Sequence, residues 1–333
     1  MRDWSGSGRS LKSDRGRRIT KGLLLAGAAV GIPVLAGALL RRRAEPPSPP
    51  RWGRSHRYAG RSGAEVAFQE LGSGPPVVLL HSFGPGYDAN QWRGVAEILA
   101  ADHSVYVLDL PGWGRTRSGP GAHHPDRYLS LIEDFLAGVV REKAVLVGAG
   151  LAAAYAVQVA ADHPARVRAL GLVAPLGLDE APAAGASHGF TGTLLALPLV
   201  NASVLDLLTS RAALEHHLRR EVYAAPERVD AALLEHHYRA SHTKSGRAAL
   251  AAYLRGDLWH DVSDELDRLR VPVWLAWGRK ARHPAVDQAD LWLRHLPEGH
   301  LDVFEGTGAL PFAEAPALFA RALERFLATA DVS

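Results

Sequence analysis

Short runs of consecutive apolar residues alternate along the chain with longer segments in which apolar residues recur every three or four positions. The runs predict strands that are buried on both faces, and the recurring spacing predicts amphipathic helices. Strands are expected at 76–81, 104–110, 144–147, 167–174, 271–277 and 300–304. Helices are expected at 90–101, 127–142, 151–162, 284–296 and 312–328. This alternation predicts an α/β fold with a mostly parallel, doubly wound sheet.

Two parts of the body depart from the alternation. The pattern at 56–71 is typical of a β-hairpin, with its turn at 61–63. Between 176 and 270 the strand pattern is absent, and helical patterns such as 212–223 and 228–242 predict an inserted helical lid. We therefore expect one domain at 56–330 that carries the lid, not two independent domains.

An uncharged apolar run of 19 residues occupies positions 22–40. As a helix it would span roughly 28 Å, close to the ~30 Å hydrocarbon core of a bilayer. Lys21 precedes the run and Arg41 to Arg43 follow it. We predict a single-pass membrane anchor between a basic tail (1–21) and an Arg/Pro-rich linker (41–55). A buried soluble helix and a signal peptide, cleaved or uncleaved, are the alternatives, and similar basic flanks leave the orientation open.

Charge separates the N-terminal segment from the body. Residues 1–54 hold 12 Lys/Arg and 3 Asp/Glu, a net charge of +9, whereas the rest of the 333-residue chain carries −6. An acidic body disfavours nucleic acid as a partner, and a basic tail beside an apolar run favours a membrane surface. The chain has no cysteine, which excludes disulfides, a thiolate nucleophile and cysteine-ligated zinc. We expect no cofactor.

Three motifs at predicted strand ends resemble those of one family. Strand 144–147 runs through Gly148-Ala149-Gly150 into a helix, in the frame Gly-x-Ser-x-Gly of a nucleophile elbow. The segment 79–84 is similar to the His-Gly loop after the third strand, and 109–116 is similar to a D-x-P-G-x-G-x-S/T loop. On these motifs, residues 56–330 resemble the α/β-hydrolase superfamily. The resemblance implies an oxyanion hole built from the backbone N–H groups of Phe83 and Leu151.

The resemblance does not extend to the catalytic triad. Acyl transfer on this scaffold needs a serine nucleophile, a histidine base and a carboxylate that orients the base. The corresponding positions are Gly150 at the elbow, Ala281 after the seventh strand and Ala309 in the turn after the last strand. The sequence therefore predicts a protein that lacks triad chemistry and binds a small apolar or lipid-like ligand, or a protein partner, in the former substrate cleft.

An active enzyme is the alternative, either an ester or acyl hydrolase or a non-covalent acid/base catalyst. Its weak stand-ins for catalytic groups are Ser82, His81, Asp179 and His283, which would have to converge at the cleft. His81 and Trp113 are expected to line that cleft. A purely structural scaffold is a third hypothesis, which a cleft filled by side chains would favour.

Histidines in the predicted lid do not indicate a metal site. Neighbouring pairs occur at 216–217 and 236–237, and adjacent helical residues point to different faces. His237 and His242 lie five residues apart, off the i,i+4 spacing of two ligands on one helical face. We therefore expect no metal.

Overall fold

The computed structural model of the chain describes residues 50–60, 65–117, 123–178 and 198–330. In these ranges eight strands form one sheet, in the spatial order β1-β2-β4-β3-β5-β6-β7-β8. The strands are β1 (Arg54–Ala59), β2 (Glu65–Leu71), β3 (Pro76–Leu80), β4 (Ser104–Asp109), β5 (Ala144–Ala149), β6 (Val167–Val173), β7 (Val273–Gly278) and β8 (His300–Phe304). β1–β2 and β2–β4 pair antiparallel and the other pairs are parallel. The predicted mostly parallel α/β sheet is confirmed.

Helices lie along the sheet and between β6 and β7. They are α1 (Arg93–Leu99), α2 (Pro125–Phe135), α3 (Leu151–Asp162), α4 (Pro198–Leu208), α5 (Arg211–His217), α6 (Ala231–Ser241), α7 (Lys244–Arg255), α8 (Ser263–Leu266), α9 (Ala289–His295), α10 (Pro311–Glu314) and α11 (Pro316–Ala330). Short 3₁₀ turns occur at Ala89–Trp92, Pro226–Arg228 and Val286–Gln288, and π-helical turns at Leu136–Val140 and Leu218–Val222. We call the helical part from α4 to α8 the insertion; its role as a lid stays a prediction.

The helix predicted at 127–142 has a different start and end. It begins at Pro125, where the missing N–H of proline suits the first helical position. After Phe135 the backbone widens into the π-helical turn Leu136–Val140, and Arg141, with a φ of 64°, ends it. The apolar spacing identifies the buried face of the helix. It is a weaker signal for where the helix begins and ends.

The sheet places its candidate site at the carboxyl ends of β3 and β5. These strands are neighbours, and every residue of both is buried. From β3 the chain crosses to β4 on one side, whereas β5 leads to β6 on the other side. Such a reversal of strand order opens a crevice outside the strand ends, where ligands bind in open α/β sheets.

The predicted anchor at 22–40, the tail before it and most of the linker lie outside the described residues. None of the helices in the described ranges has both the length and the apolar character needed to cross a bilayer. The hairpin β1–β2 is confirmed, and its predicted turn at 61–63 also lies outside the described ranges.

Candidate functional site

The turn between β5 and α3 is built like an elbow. Gly150 has φ 58° and ψ −127°, a conformation that L side chains rarely adopt. Its N–H donates to the carbonyl oxygen of Val173 at 2.9 Å, and its own carbonyl accepts from the N–H of Leu176 at 3.2 Å. Neighbouring backbone therefore holds the sharp turn, although the residue at its apex has no side chain.

Ser82 borders the space that a side chain at position 150 would enter. A Cβ built on Gly150 would lie 2.6 Å from Ser82 Oγ. The Ser82 backbone is fixed on both sides, because its N–H donates to Gln91 Oε1 at 3.1 Å and its carbonyl accepts from His81 Nδ1 at 2.8 Å. In the motifs that the chain resembles, glycine follows the histidine and serine stands at the elbow. Here serine follows His81 and glycine stands at the elbow.

We expect Gly150→Ala to lower the free energy of unfolding by about 1–3 kcal/mol, from backbone strain and from crowding against Ser82. The same substitution made on top of Ser82→Gly should cost less. Gly306→Ala is the matched control for strain alone, since Gly306 has φ 73° and no atom within 4 Å of its Cβ position. Urea unfolding of the double-mutant cycle measures the coupling. If Gly150→Ala cost the same unfolding free energy in the wild type and in Ser82→Gly, crowding against the Ser82 side chain would not contribute.

His81 is fully buried, and both of its ring nitrogens hydrogen-bond to backbone groups. Its Nε2 accepts from the N–H of Leu110 at 3.0 Å, so its Nδ1 is the nitrogen that donates to the Ser82 carbonyl. Burial lowers the pKa of His81, which favours the neutral ring that this pattern requires. The ring joins the ends of β3 and β4, and neither nitrogen is free to act as a base.

The two positions predicted to correspond to a triad acid and base lie on adjoining loops. A Cβ on Gly278, at the end of β7, would lie 1.9 Å from the carbonyl oxygen of Gly308, and the N–H of Lys280 donates to the Thr307 carbonyl at 2.9 Å. Ala281 is buried and Ala309 is half-buried. The N–H of Ala309 donates to the Val222 carbonyl at 2.9 Å. The insertion therefore rests directly on the turn that carries Ala309.

Glu314 strengthens that contact. Its side chain is 2% exposed, and its two carboxylate oxygens accept from the N–H groups of Gly308 at 2.6 Å, Ala224 at 2.9 Å and Ala225 at 3.3 Å. Burial raises the pKa of Glu314, against the opposing effect of these N–H groups. One carboxylate thus joins the turn after β8 to the insertion.

Aromatic side chains fill the region behind the loop that follows β3. Phe83 stacks on Trp113 with ring centroids 5.2 Å apart and an angle of 10° between the planes. Tyr128, Tyr155 and Tyr253 surround Phe83 with centroids at 5.5, 5.9 and 6.0 Å. Phe83 and Trp113 are 4% and 2% exposed. Trp113, predicted to line the cleft, packs into this cluster together with the side chain of Phe83, and Leu151 is buried as the first residue of α3.

Of the remaining stand-ins, only His283 lies within the described residues, and it does not join the elbow group. Asp179 lies outside the described residues, and His283 is exposed on the loop after β7. Within the described ranges, no three His, Asp or Glu side chains come together in a way that could hold a metal ion. His237 and His242 instead face backbone carbonyls, of Pro85 at 2.8 Å and of Tyr238 at 2.7 Å.

An ion pair that sequence reasoning missed joins the insertion to the core. Asp88, 7% exposed, accepts from the N–H of Asn90 at 3.0 Å and caps the 3₁₀ turn Ala89–Trp92. Its other oxygen lies 2.8 Å from His236 Nε2 on α6. Burial alone would lower the pKa of His236, but the Asp88 carboxylate outweighs it and raises the pKa. In turn, His236 lowers the pKa of Asp88, although burial acts to raise that pKa.

We expect this pair to make stability depend on pH. A histidine whose folded pKa is raised above its unfolded value of 6.5 stabilises the fold fully below pH 6.5 and loses that effect as the pH rises through the folded pKa. The other titratable groups that act on the pair, Asp109, His81 and His237, are common to wild type and variant. The difference in unfolding free energy between wild type and His236→Gln should therefore shrink from pH 6 to pH 8. Exposed His216 supplies the control, His216→Gln, and a difference that grows with pH would contradict the assignment.

Comparisons with known proteins agree with this fold. The model of the alpha/beta hydrolase fold family matches residues 75–316. A pimeloyl-[acyl-carrier protein] methyl ester esterase of Aeromonas hydrophila is 28% identical over 270 residues, which cover 79% of this chain and 99% of the esterase. A 2-hydroxy-6-oxo-6-(2'-aminophenyl)hexa-2,4-dienoic acid hydrolase of Metapseudomonas resinovorans is 32% identical, over 37% of this chain and 43% of that enzyme.

Solved structures resemble the fold over most of the chain. A serine hydrolase involved in carbazole degradation superposes with a TM-score of 0.67 at 22% identity, and covers 83% of this chain and 100% of its own. A bacterial membrane phospholipase A superposes with a TM-score of 0.70 at 22% identity, and covers 95% of this chain and 100% of its own. At this identity the likeness concerns the fold alone.

Proposed function

Because the chain belongs to the α/β-hydrolase fold family, we propose that it retains the family's binding architecture without serine-triad chemistry. It binds a small apolar or lipid-like acyl compound, or a protein partner, at the carboxyl ends of β3 and β5. The observation that carries the proposal is Gly150, which has the elbow backbone but offers no nucleophile. Ala281 and Ala309, on adjoining loops, leave that elbow without an acid and a base.

Two further observations support loss of the triad chemistry. His81, the histidine next to the elbow, has both ring nitrogens engaged by backbone. The turn that carries Ala309 is held against the insertion by its own N–H and by Glu314. The acyl class of the ligand follows from the esterase relative, and the membrane attachment rests on the apolar run at 22–40.

An active hydrolase is the second candidate, favoured by the similarity to esterases and hydrolases. The two candidates differ in one measurable property, which is turnover. Full-length protein is incubated with p-nitrophenyl esters of short and long acyl chains, and its thermal unfolding is followed with the corresponding free acids. We expect a ligand-dependent rise in Tm with one acyl length and no p-nitrophenol release above a heat-inactivated sample. Release that scales with protein concentration would favour the second candidate.

A further inference from the structure

A cavity of about 350 Å³ lies between the insertion and the core, on the side of α1 and α10. The insertion contributes Tyr223, Arg228, Asp230 and His236, and the core contributes Asp88, Asn90 and Gln91. Its volume falls within the range of small-molecule sites, and its wall is more polar than the apolar cleft of an acyl-binding protein would be.

The charged side chains of this cavity differ in whether they already have a hydrogen-bond or ion-pair partner. Both carboxylates already accept hydrogen bonds: Asp88 from Asn90 and His236, and Asp230 from the N–H of Leu233 at 2.7 Å as the cap of α6. Arg228 is exposed, and no ion pair within the described ranges engages its guanidinium. Each carboxylate therefore has at least one partner, whereas the Arg228 guanidinium keeps donors for a ligand.

Tyr223 adds a neutral donor beside Arg228. Burial raises the pKa of Tyr223 to about 12, so its hydroxyl keeps its proton at neutral pH. A planar guanidinium offers two parallel N–H groups that match the two oxygens of a carboxylate. A ligand with one carboxylate would supply the acceptors that these donors lack.

The wall of the cavity is held in place before any ligand arrives. Gly86 packs so closely on the insertion that a Cβ there would lie 2.3 Å from the carbonyl oxygen of His237. His237 Nδ1 faces the Pro85 carbonyl at 2.8 Å, and the Asp88–His236 pair closes the same seam. Preorganisation of this kind reduces the ordering that binding requires.

We propose that this cavity is a binding site for a small monocarboxylate, with Arg228 as the principal contact and Tyr223 as a second donor. Neither Gly150 nor Ser82 lines the site, and it does not depend on whether serine chemistry has been lost. The Asp88–His236 pair holds the wall and, with His236 protonated, offsets the Asp88 charge, so that Arg228 can pair with a negative ligand.

Isothermal titration of full-length protein with benzoate and with benzamide tests the proposal. The two probes share the ring and differ in the charge of the head group. We expect saturable benzoate binding and at least about tenfold weaker binding of benzamide, because the amide cannot form the charged pair with Arg228. Equal affinities, or no saturable benzoate binding up to about 10 mM, would overturn it.

Variants locate the binding. Arg228→Leu should weaken benzoate binding by about tenfold or more and Tyr223→Phe by a few-fold, with little effect on benzamide. Arg220→Leu is the matched control, since Arg220 is an exposed arginine of the insertion that does not line the cavity. Unchanged benzoate affinity in Arg228→Leu, or an equal loss in Arg220→Leu, would overturn the assignment. The wild-type comparison of benzoate with benzamide decides the question even if a variant fails to fold, and ester turnover at the elbow is measured independently.

Discussion

Glu314→Ala is expected to lower the free energy of unfolding by about 3–5 kcal/mol, because three backbone N–H groups lose their acceptor at once. Gly308, Ala224 and Ala225 all donate to this carboxylate, and its side chain is almost completely buried. Water cannot replace the lost acceptor without entering the contact between the turn and the insertion. Urea unfolding monitored by tryptophan fluorescence measures the loss.

Two controls isolate this effect. Glu314→Gln keeps one acceptor oxygen and should fall between wild type and alanine. Glu305→Ala removes a glutamate whose side chain is 73% exposed and pairs with Arg279 at the surface, so its cost should stay below about 1 kcal/mol. If Glu314→Ala cost no more than Glu305→Ala, Glu314 would not hold the insertion to the turn.

Asp109→Ala is the second large effect, with an expected loss of about 3–5 kcal/mol. Asp109 is 2% exposed at the end of β4 and accepts from the N–H of Ala89 at 2.9 Å. Its other oxygen accepts from Arg115, from the backbone N–H at 3.1 Å and from Nε at 3.0 Å. Alanine would leave these donors unpaired and would free the loop that positions Ser82 and Gln91.

Asp109→Asn tests how much of this effect is ionic. The amide retains an oxygen for one of the two loops but loses the charged pair with Arg115, so we expect a smaller loss than for alanine. Thermal and urea unfolding of both variants at pH 7 provide the measurement. A loss below about 1 kcal/mol for Asp109→Ala would mean that the loops are held by packing rather than by this carboxylate.

The β5–elbow–α3 unit could be predicted because its determinants are local. An apolar run, two glycines and a series of small residues occur in sequence, and each acts within a few positions. The positions of Gly150, Ala281 and Ala309 likewise followed from short motifs. The effect of these three residues on function stays a prediction, because the positions of loops and strands do not show what a site binds or catalyses.

Contacts between distant segments could not be predicted in the same way. Asp88 and His236 are 148 residues apart, and only the folded chain brings them to 2.8 Å. The sequence did contain a partial signal for Asp88. It lies just before the helix predicted at 90–101, and aspartate is a preferred residue at a helix N-cap. The approach of Ser82 to Gly150 also depends on how two loops meet, which no motif specifies.

Fluorophosphonate labelling of full-length protein, followed by peptide mapping, tests the central claim most directly, because the probe forms a stable adduct with an activated serine. A family member with an intact serine, histidine and aspartate triad serves as the positive control. The account predicts that no serine of this chain is labelled while the control reacts fully. Stoichiometric labelling of one serine would contradict it, and labelling at Ser82 would identify the hydroxyl next to the empty elbow as the nucleophile.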